Sequence, residues 1–457
     1  MRSDNSSAFR LTRLRLENFR SFQACELDLR PDLTVLVAEN GQGKTALLEA
    51  IAIAFDAIFA PITNRKRSTG FARTDIRRIQ GEGGFMIPQP SVSFFAKGSL
   101  AGREIGWSRT LDSSKKARTD WGGLKELESL LDEWSSDLQQ KNPSSQTFPL
   151  AVYYGTSRVL GNRDKSARNS YDRPDHTRSS AYANALSSTS SFADFAAWYE
   201  GMMKRIRFTT QANFHLVAQI AAVRTAINEV LRPTDWSNID WVFPEDSREE
   251  TNHEPGYLSV EHPTNGKLPV SLLSDGVRNM IAMVADLAYR CVLLNPHLRG
   301  KAALETPGIL LVDEIDLHLH PRWQQLVVES LRNAFPCFQL VLSTHSPHLL
   351  STVAVESIRV IGSNSRISTP DYQTLGNESA DILARTMGVN PTPQVEEAQW
   401  LSAYRGMVDA GAHQSNEGEE LWQKVLQHYG EDHGAIQEIH VLRSLHEFKQ
   451  SHPEFKK

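Results

Sequence analysis

The run Ala38-Glu39-Asn40-Gly41-Gln42-Gly43-Lys44-Thr45 gathers two glycines, a lysine and a hydroxyl into one short segment. Glycines let successive backbone N–H groups close around a phosphate, a lysine reaches the β- and γ-phosphates, and a threonine hydroxyl can ligate Mg²⁺. The spacing fits G-x-x-x-x-G-K-[ST] except that Ala38 stands at the first position. Asn40, Gly41, Gln42, Gly43, Lys44 and Thr45 are therefore the expected ATP-binding loop. A second acidic element ends an apolar run, Ile309-Leu310-Leu311-Val312-Asp313-Glu314. There Asp313 would join Thr45 in the Mg²⁺ shell and Glu314 would orient or polarise the attacking water. Leu273-Ser274-Asp275-Gly276-Val277-Arg278 opens a long helix, where a serine, a glycine and free backbone N–H groups form an anion site; an ordinary N-cap is the alternative. Ser343-Thr344-His345-Ser346-Pro347 follows another apolar run, and His345 there can face a γ-phosphate or the water, or be structural.

These groups need elements to hold them. Leu33–Ala38 is continuously apolar, as in a strand buried on both faces, and residues 46–59 carry apolar side chains at helical spacing, giving strand, loop, helix. Buried strands are expected at 150–154, 308–312 and 338–343, and helices at 277–294 and 321–334. Residues 9–17 and 25–29 alternate, and 91–96 with 104–111 reads as a hairpin. Helical patterns cover 124–138, 192–206 and 212–231, and a small β region spans 239–262. Residues 161–180 contain no Leu, Ile, Val, Met or Phe and read as a mobile loop. Beyond 364, amphipathic helices are expected at 377–387, 394–410 and 416–429.

As a set, in this order, the motifs resemble the ABC-type ATPase heads of the SMC/RecF class. Leu11 through Phe22 looks like the opening strand and turn of that class, residues 38–45 like its Walker A and Asp313-Glu314 like its Walker B. Leu273, Ser274 and Gly276 match its signature, with departures at Asp275 and Val277, and His345 matches its switch histidine. The resemblance covers about residues 8–362. It implies an α/β head: a P-loop core sheet, an antiparallel β subdomain and a helical signature lobe, followed by a helical tail. The implied divisions are 8–120, 121–265, 266–362 and 363–457. It also implies a head-to-head dimer in which Ser274 and Gly276 of one chain cap the nucleotide held by Lys44 of the other, with Glu314 and His345 catalytic and Thr45 and Asp313 on Mg²⁺. No glutamine is assigned to the Q-loop; Gln80 and Gln89 are candidates.

Two segments narrow the resemblance. Pro149 through Arg158, with Tyr153-Tyr154-Gly155-Thr156, and the tail from Asn377 through Pro391 to Arg405 are similar to PtuA-type ATPases of Septu and retron antiphage systems. That family implies a separate HNH nuclease of the PtuB type, docked in part by the tail, and in a retron setting an RNA–DNA hybrid. No Asp-x-Asp follows residue 362, so a nuclease site is not expected in this chain. A RecF-like DNA-repair ATPase on duplex DNA and a slow-turnover, nucleotide-locked scaffold stay open as alternatives.

Charge and length agree with a soluble enzyme. The chain has 457 residues and a net charge of −5, which excludes a polycationic coat but not local basic patches. Arg65, Lys66, Arg67, Arg77 and Arg78, and then Arg158, Arg163, Lys165 and Arg168, are candidate nucleic-acid or partner contacts, solvated surface being the alternative. Residues 396–457 hold 11 acidic and 6 Lys/Arg side chains, a better protein-docking tail than a DNA ligand. Three scattered cysteines form no zinc or disulfide pattern, no secretory leader is visible, and the run 46–60 is too short to span a membrane. A cytoplasmic location is the expectation.

Overall fold

The computed structural model describes residues 9–62, 70–114, 120–122, 128–140, 145–156, 177–187, 192–208, 214–243 and 256–452. Arg65, Lys66, Arg67, Arg158, Arg163, Lys165 and Arg168 lie outside the described residues, as does most of the loop expected at 161–180.

Two sheets organise the head. Strand β1 (Phe9–Phe19) pairs antiparallel with β2 (Phe22–Asp28) on one side and with β6 (Ser91–Leu100) on the other. Strands β7 (Arg103–Asp112) and β8 (Asp120–Gly122) complete the order β2-β1-β6-β7-β8. The alternation read in residues 9–17 slips once, because a bulge between Leu11 and Arg13 shifts the register against β6. Beyond the bulge Leu14 and Leu16 face inward while Arg13 and Arg15 point out, opposite Asp28 and Glu26 of β2. Beside β1 a small hairpin, β4 (Arg78–Gln80) with β5 (Met86–Pro88), branches off.

The second sheet is the one that places the chemistry. Strands β3 (Leu33–Val37), β9 (Leu150–Tyr154), β13 (Gly308–Val312), β14 (Phe338–Thr344) and β15 (Ile358–Ile361) run parallel, and β16 (Ile367–Ser368) adds an antiparallel edge. The order is β16-β15-β3-β14-β13-β9. Every residue of β3, β9, β13 and β14 is buried, as the continuous apolar runs required of a sheet covered on both faces. Because the strands are parallel, Val37, Tyr154, Val312 and Thr344 all end at one edge, where open α/β sheets bind ligands. The two sheets are joined through the buried Gln339. Its side-chain amide accepts from the Leu11 N–H at 2.9 Å and donates to the carbonyls of Leu11 and Arg30, both at 2.7 Å.

The helix Lys44–Ile62 lies between the sheets, with Phe55 and Phe59 packed on Phe9 and Phe55 on Trp107, whose indole N–H donates to the Ala54 carbonyl. The helices Phe192–Phe208 and Phe214–Leu231 pack around the helix Asp275–Leu294, which is buried on nearly all sides. A three-stranded sheet, β10 (Ser237–Val242), β11 (Tyr257–His262) and β12 (Gly266–Pro269), flanks them.

Some expectations are corrected. The helix expected over 321–334 is two, Pro321–Gln324 and Val327–Ala334. The Gln324 side chain donates back to the Leu319 carbonyl at 3.0 Å, fixing the first turn against the preceding loop. The segment 377–387 forms only a three-residue helical turn and a π turn over Ile382–Thr386. Arg178, in the stretch 161–180 expected to be a loop, is buried instead: it donates to the Leu294 and Gln146 carbonyls at 2.7 Å and stacks over Phe148.

Contacts divide the chain into two compact units, the boundary falling between Ile382 and Leu383. In the second unit the helices Glu396–Asp409, Asn416–Tyr429 and Gly434–Ser451 enclose Tyr404, Val408, Trp422, Val425, Ile436 and Ile439. The last helix was not among those expected, its apolar face being narrow and interrupted by Arg443 and His446. Among the described residues no helix is long and apolar enough to cross a membrane. The three cysteines are free thiols, and burial pushes the Cys25 thiol up to about 12.

Candidate functional site

The loop after β3 turns through two left-handed glycines, Gly41 at φ +80° and Gly43 at φ +99°. Gly43 is needed twice over: a Cβ there would strain the backbone and would sit 2.5 Å from the Phe22 ring. Asn40 and Gly41 are exposed, while Lys44 at the helix start is buried. The Lys44 ammonium donates to the Ala38 carbonyl at 2.9 Å and to the Glu39 carbonyl at 3.3 Å. Ala38 thus supplies a carbonyl and a buried methyl where the usual pattern has glycine, and the loop still closes on the lysine. Burial lowers the Lys44 pKa, and the nearby carboxylates of Asp313, Glu314 and Asp316 oppose that shift.

Those carboxylates come from the end of β13. Thr45 Oγ1 donates to Asp313 Oδ2 at 2.6 Å across 268 residues of chain. Ser343, at the end of β14, donates to Asp313 Oδ1 at 2.5 Å and accepts from the Glu314 N–H at 2.7 Å. One buried serine therefore fixes both acids. Glu314 itself has φ +47°, a left-handed conformation that a residue other than glycine adopts at a cost of about 1–3 kcal/mol and keeps only where its surroundings impose it. Asp316 accepts from Thr344 Oγ1 at 2.6 Å and from the His345 N–H at 3.4 Å. The Nε2 of His345 is buried and has no hydrogen-bond partner among the described residues. These features fit a nucleotide and its metal: a glycine loop with a lysine, a hydroxyl and a carboxylate already in contact, and an orphaned imidazole nitrogen beside them. Thr45 and Asp313 could hold Mg²⁺, which when bound would neutralise phosphate charge. Ser343, Asp316 and Phe22 had no assigned role in the sequence. The available signal was a buried hydroxyl closing an apolar strand, which requires a polar partner.

A buried polar joint lies next to the acids. The Asp313 N–H donates to the Tyr154 carbonyl at 2.9 Å. Tyr154 donates its hydroxyl to Asp286 Oδ2 at 2.8 Å, and Arg290 Nε donates to the same oxygen at 2.8 Å. Arg290 also donates to the Ala181 and Ala183 carbonyls at 2.8 Å. Burial works against the Arg290 cation, but Asp286 outweighs it and raises the pKa; burial, with Asp286, raises that of Tyr154. Replacing Asp286 with alanine leaves the guanidinium buried without its anion, so the variant should lose about 3–5 kcal/mol of stability in urea unfolding. A loss under about 1 kcal/mol would mean the joint is solvated or redundant.

The helix Asp275–Leu294 begins at Ser274, which is exposed and makes no capping bond with its hydroxyl. Asp275, the departure from the signature pattern, is paired with Arg278 at 2.5 Å. Gly276 is buried against the loop that follows Glu314: a Cβ would lie 2.2 Å from the His318 carbonyl oxygen. Within one chain, neither Ser274 nor Gly276 hydrogen-bonds to Lys44, Thr45, Asp313 or Glu314, whereas these four and His345 converge at the sheet edge. Arg78 is exposed and Arg77 half-buried at the base of the β4–β5 hairpin. Gln80 lies in that hairpin and Gln89 just after it.

The chain is similar to the "Retron Vc95 probable ATPase" of Vibrio cholerae serotype O1 biovar El Tor, 25% identical over 476 residues, covering 93% of this chain and 88% of the relative. It is 26% identical over 153 residues to the Septu protein PtuA of Bacillus thuringiensis, covering 32% of this chain and 39% of that protein. The SMC head domain from Thermotoga maritima superposes with a TM-score of 0.41 at 14% identity, over 79% of this chain and 100% of that one. A family model described as "AAA domain, putative AbiEii toxin, Type IV TA system" matches residues 33–351, from the strand before the glycine loop to just past the histidine. The chain belongs to that AAA-domain family, and its relatives include proteins named as a retron probable ATPase and as Septu PtuA.

Proposed function

We propose that this chain binds and hydrolyses ATP, pairs head to head with a second copy, and gates a separate HNH nuclease in cytoplasmic antiphage defence. The observation that carries the ATPase part is the contact of Thr45, Asp313, Ser343 and Glu314 at the edge of the parallel sheet. Lys44 and the N–H groups of Asn40 to Gly43 bind the phosphates, with Gln42 in the loop. Glu314 takes a proton from the attacking water as its oxygen bonds to the γ-phosphorus; the bond to the β–γ bridging oxygen breaks and ADP leaves. The His345 imidazole, its Nε2 without a partner among the described residues, steadies that water or the γ-phosphate. Ser274 and Gly276 reach a nucleotide only in the partner copy, in keeping with their lack of bonds to Lys44 or Thr45 of their own chain.

The defence part is supported by relatives named for a retron and for Septu, the systems whose ATPases the 149–158 and tail segments resemble. In this reading residues 8–120 and 266–362 form the ATPase lobes, 121–265 the insertion and 363–457 the acidic docking tail. An RNA–DNA hybrid of retron type is the nucleic acid it would accompany. The test is co-expression with HNH nucleases of the PtuB type, followed by tandem purification with and without ATP. A complex of even stoichiometry that changes composition with ATP is the expected result. A chain that purifies alone from every such pairing would overturn the partner assignment.

A further inference from the structure

We infer that the hairpin Arg78–Pro88 is a nucleic-acid probe, its arginine base on backbone phosphates and its apolar tip against exposed bases. This rests on the reading that the chain works with nucleic acid and adds where and how.

The hairpin is out of place as a structural element. Each of its strands has three residues, Ile79 pairs with Ile87, and all six strand residues are exposed. A two-stranded hairpin of this size is marginal alone in water. At its turn, through Gly83 and Gly84 with φ +82° and +83°, Phe85 is 77% exposed, followed by exposed Met86 and Ile87. Four large apolar side chains on one small projection mark a contact surface.

Charge says what the contact is. Arg73, Arg77 and Arg78 make no ion pair among the described residues, whereas Arg13, Arg15 and Arg20 of the adjoining sheet are all paired. The two acids of the segment do not offset them. Asp75 is buried and bonded to Arg20 at 2.9 Å, leaving only Glu82 at the turn. Three uncompensated arginines beside an apolar and aromatic tip are what a polyanion with π-faced bases takes: arginines position on phosphates, and Phe, Met or Ile wedges between or stacks on bases.

The hairpin is also wired to the nucleotide loop. The Arg77 N–H donates to the Asn18 carbonyl at 2.8 Å, and Phe19 bridges Ile76. Arg20, between them, ion-pairs with Asp75 below the hairpin and with Glu49 on the helix that begins at Lys44. A ligand that tilts the hairpin pulls on that helix.

The test uses the full chain and three fluorescent 20-mers: single-stranded DNA, duplex DNA and an RNA–DNA hybrid. Binding is read by anisotropy across a salt series, with ATP turnover measured in parallel. Phe85→Ala should weaken the single-stranded probe about 5- to 150-fold, the range of one lost stacked base, and affect the closed duplex less. Arg77→Ala/Arg78→Ala should weaken all three probes and flatten the salt slope by about 0.7–0.9 per lost phosphate contact. Neither change should alter basal ATP turnover. Equal affinities for wild type and both variants overturn the inference, as does loss of HNH-partner or anionic-vesicle binding with nucleic-acid binding intact. A chain that hydrolyses ATP and holds its HNH partner, yet shows such equal affinities, rejects the hairpin alone and leaves the gating function standing.

Discussion

Replacing Glu314 with glutamine should slow ATP turnover by about 10²- to 10⁴-fold, the usual contribution of a positioned general base, while nucleotide still binds. The side chain keeps its length and the backbone keeps its Ser343 bond, so only proton acceptance is lost. A slow variant with bound nucleotide should also hold the paired state longer, giving a dimer in ATP that survives gel filtration. Phosphate release and elution volume check the two halves. Turnover at the wild-type rate would remove Glu314 from the role. The left-handed φ of Glu314 makes the expectation specific, because a strained backbone kept at a strand end suggests that the position of that carboxylate matters.

Lys44→Ala should weaken ATP binding by roughly 30- to 4000-fold, corresponding to about 2–5 kcal/mol for truncating a buried hydrogen-bonded charge. The ammonium is enclosed by the Ala38 and Glu39 carbonyls and faces three carboxylates, Asp313, Glu314 and Asp316. Without it a polyphosphate would meet the Ala38 and Glu39 carbonyl oxygens with no ammonium between them, so the loss should fall at the high end. Titration calorimetry with a slowly hydrolysed ATP analogue measures it. An unchanged affinity would mean that the loop is not the phosphate site.

Much of this was legible in the sequence because it lay in periodicity and short spacing. The predominantly apolar runs at 33–37, 308–312 and 338–343, rich in Val and Leu, read as strands covered on both faces, and the residues after each are the ones that converge. Side chains that work through long-range contact were not legible. Ser343 and Gln339 read as an ordinary polar residue in or after a strand, and nothing local says that one will grip Asp313 and the other Leu11. Arg178 was misread for the same reason: surrounded by polar residues, it looks like loop, yet it is a buried clamp on Leu294 and Gln146. Gly276 reads as part of an anion site, while in its own chain it is required by the His318 carbonyl above it.

The strand order has a consequence for synthesis. The neighbours of β3 are β14 and β15, and both are made about 300 residues later. At about 5–20 residues per second, the five residues of the strand Leu33–Val37, four of them apolar, wait roughly 15–60 s on the ribosome before either partner emerges. The antiparallel sheet β1, β2, β6 and β7 closes far sooner, since all four strands lie before residue 113. It can shelter the helix Lys44–Ile62 during that interval but cannot pair the strand that precedes it. Nascent chains shorter than about 340 residues should therefore expose an open, hydrophobic edge and depend on chaperones, and the nucleotide site, spread from Gly41 to His345, can be among the last features of the molecule to exist.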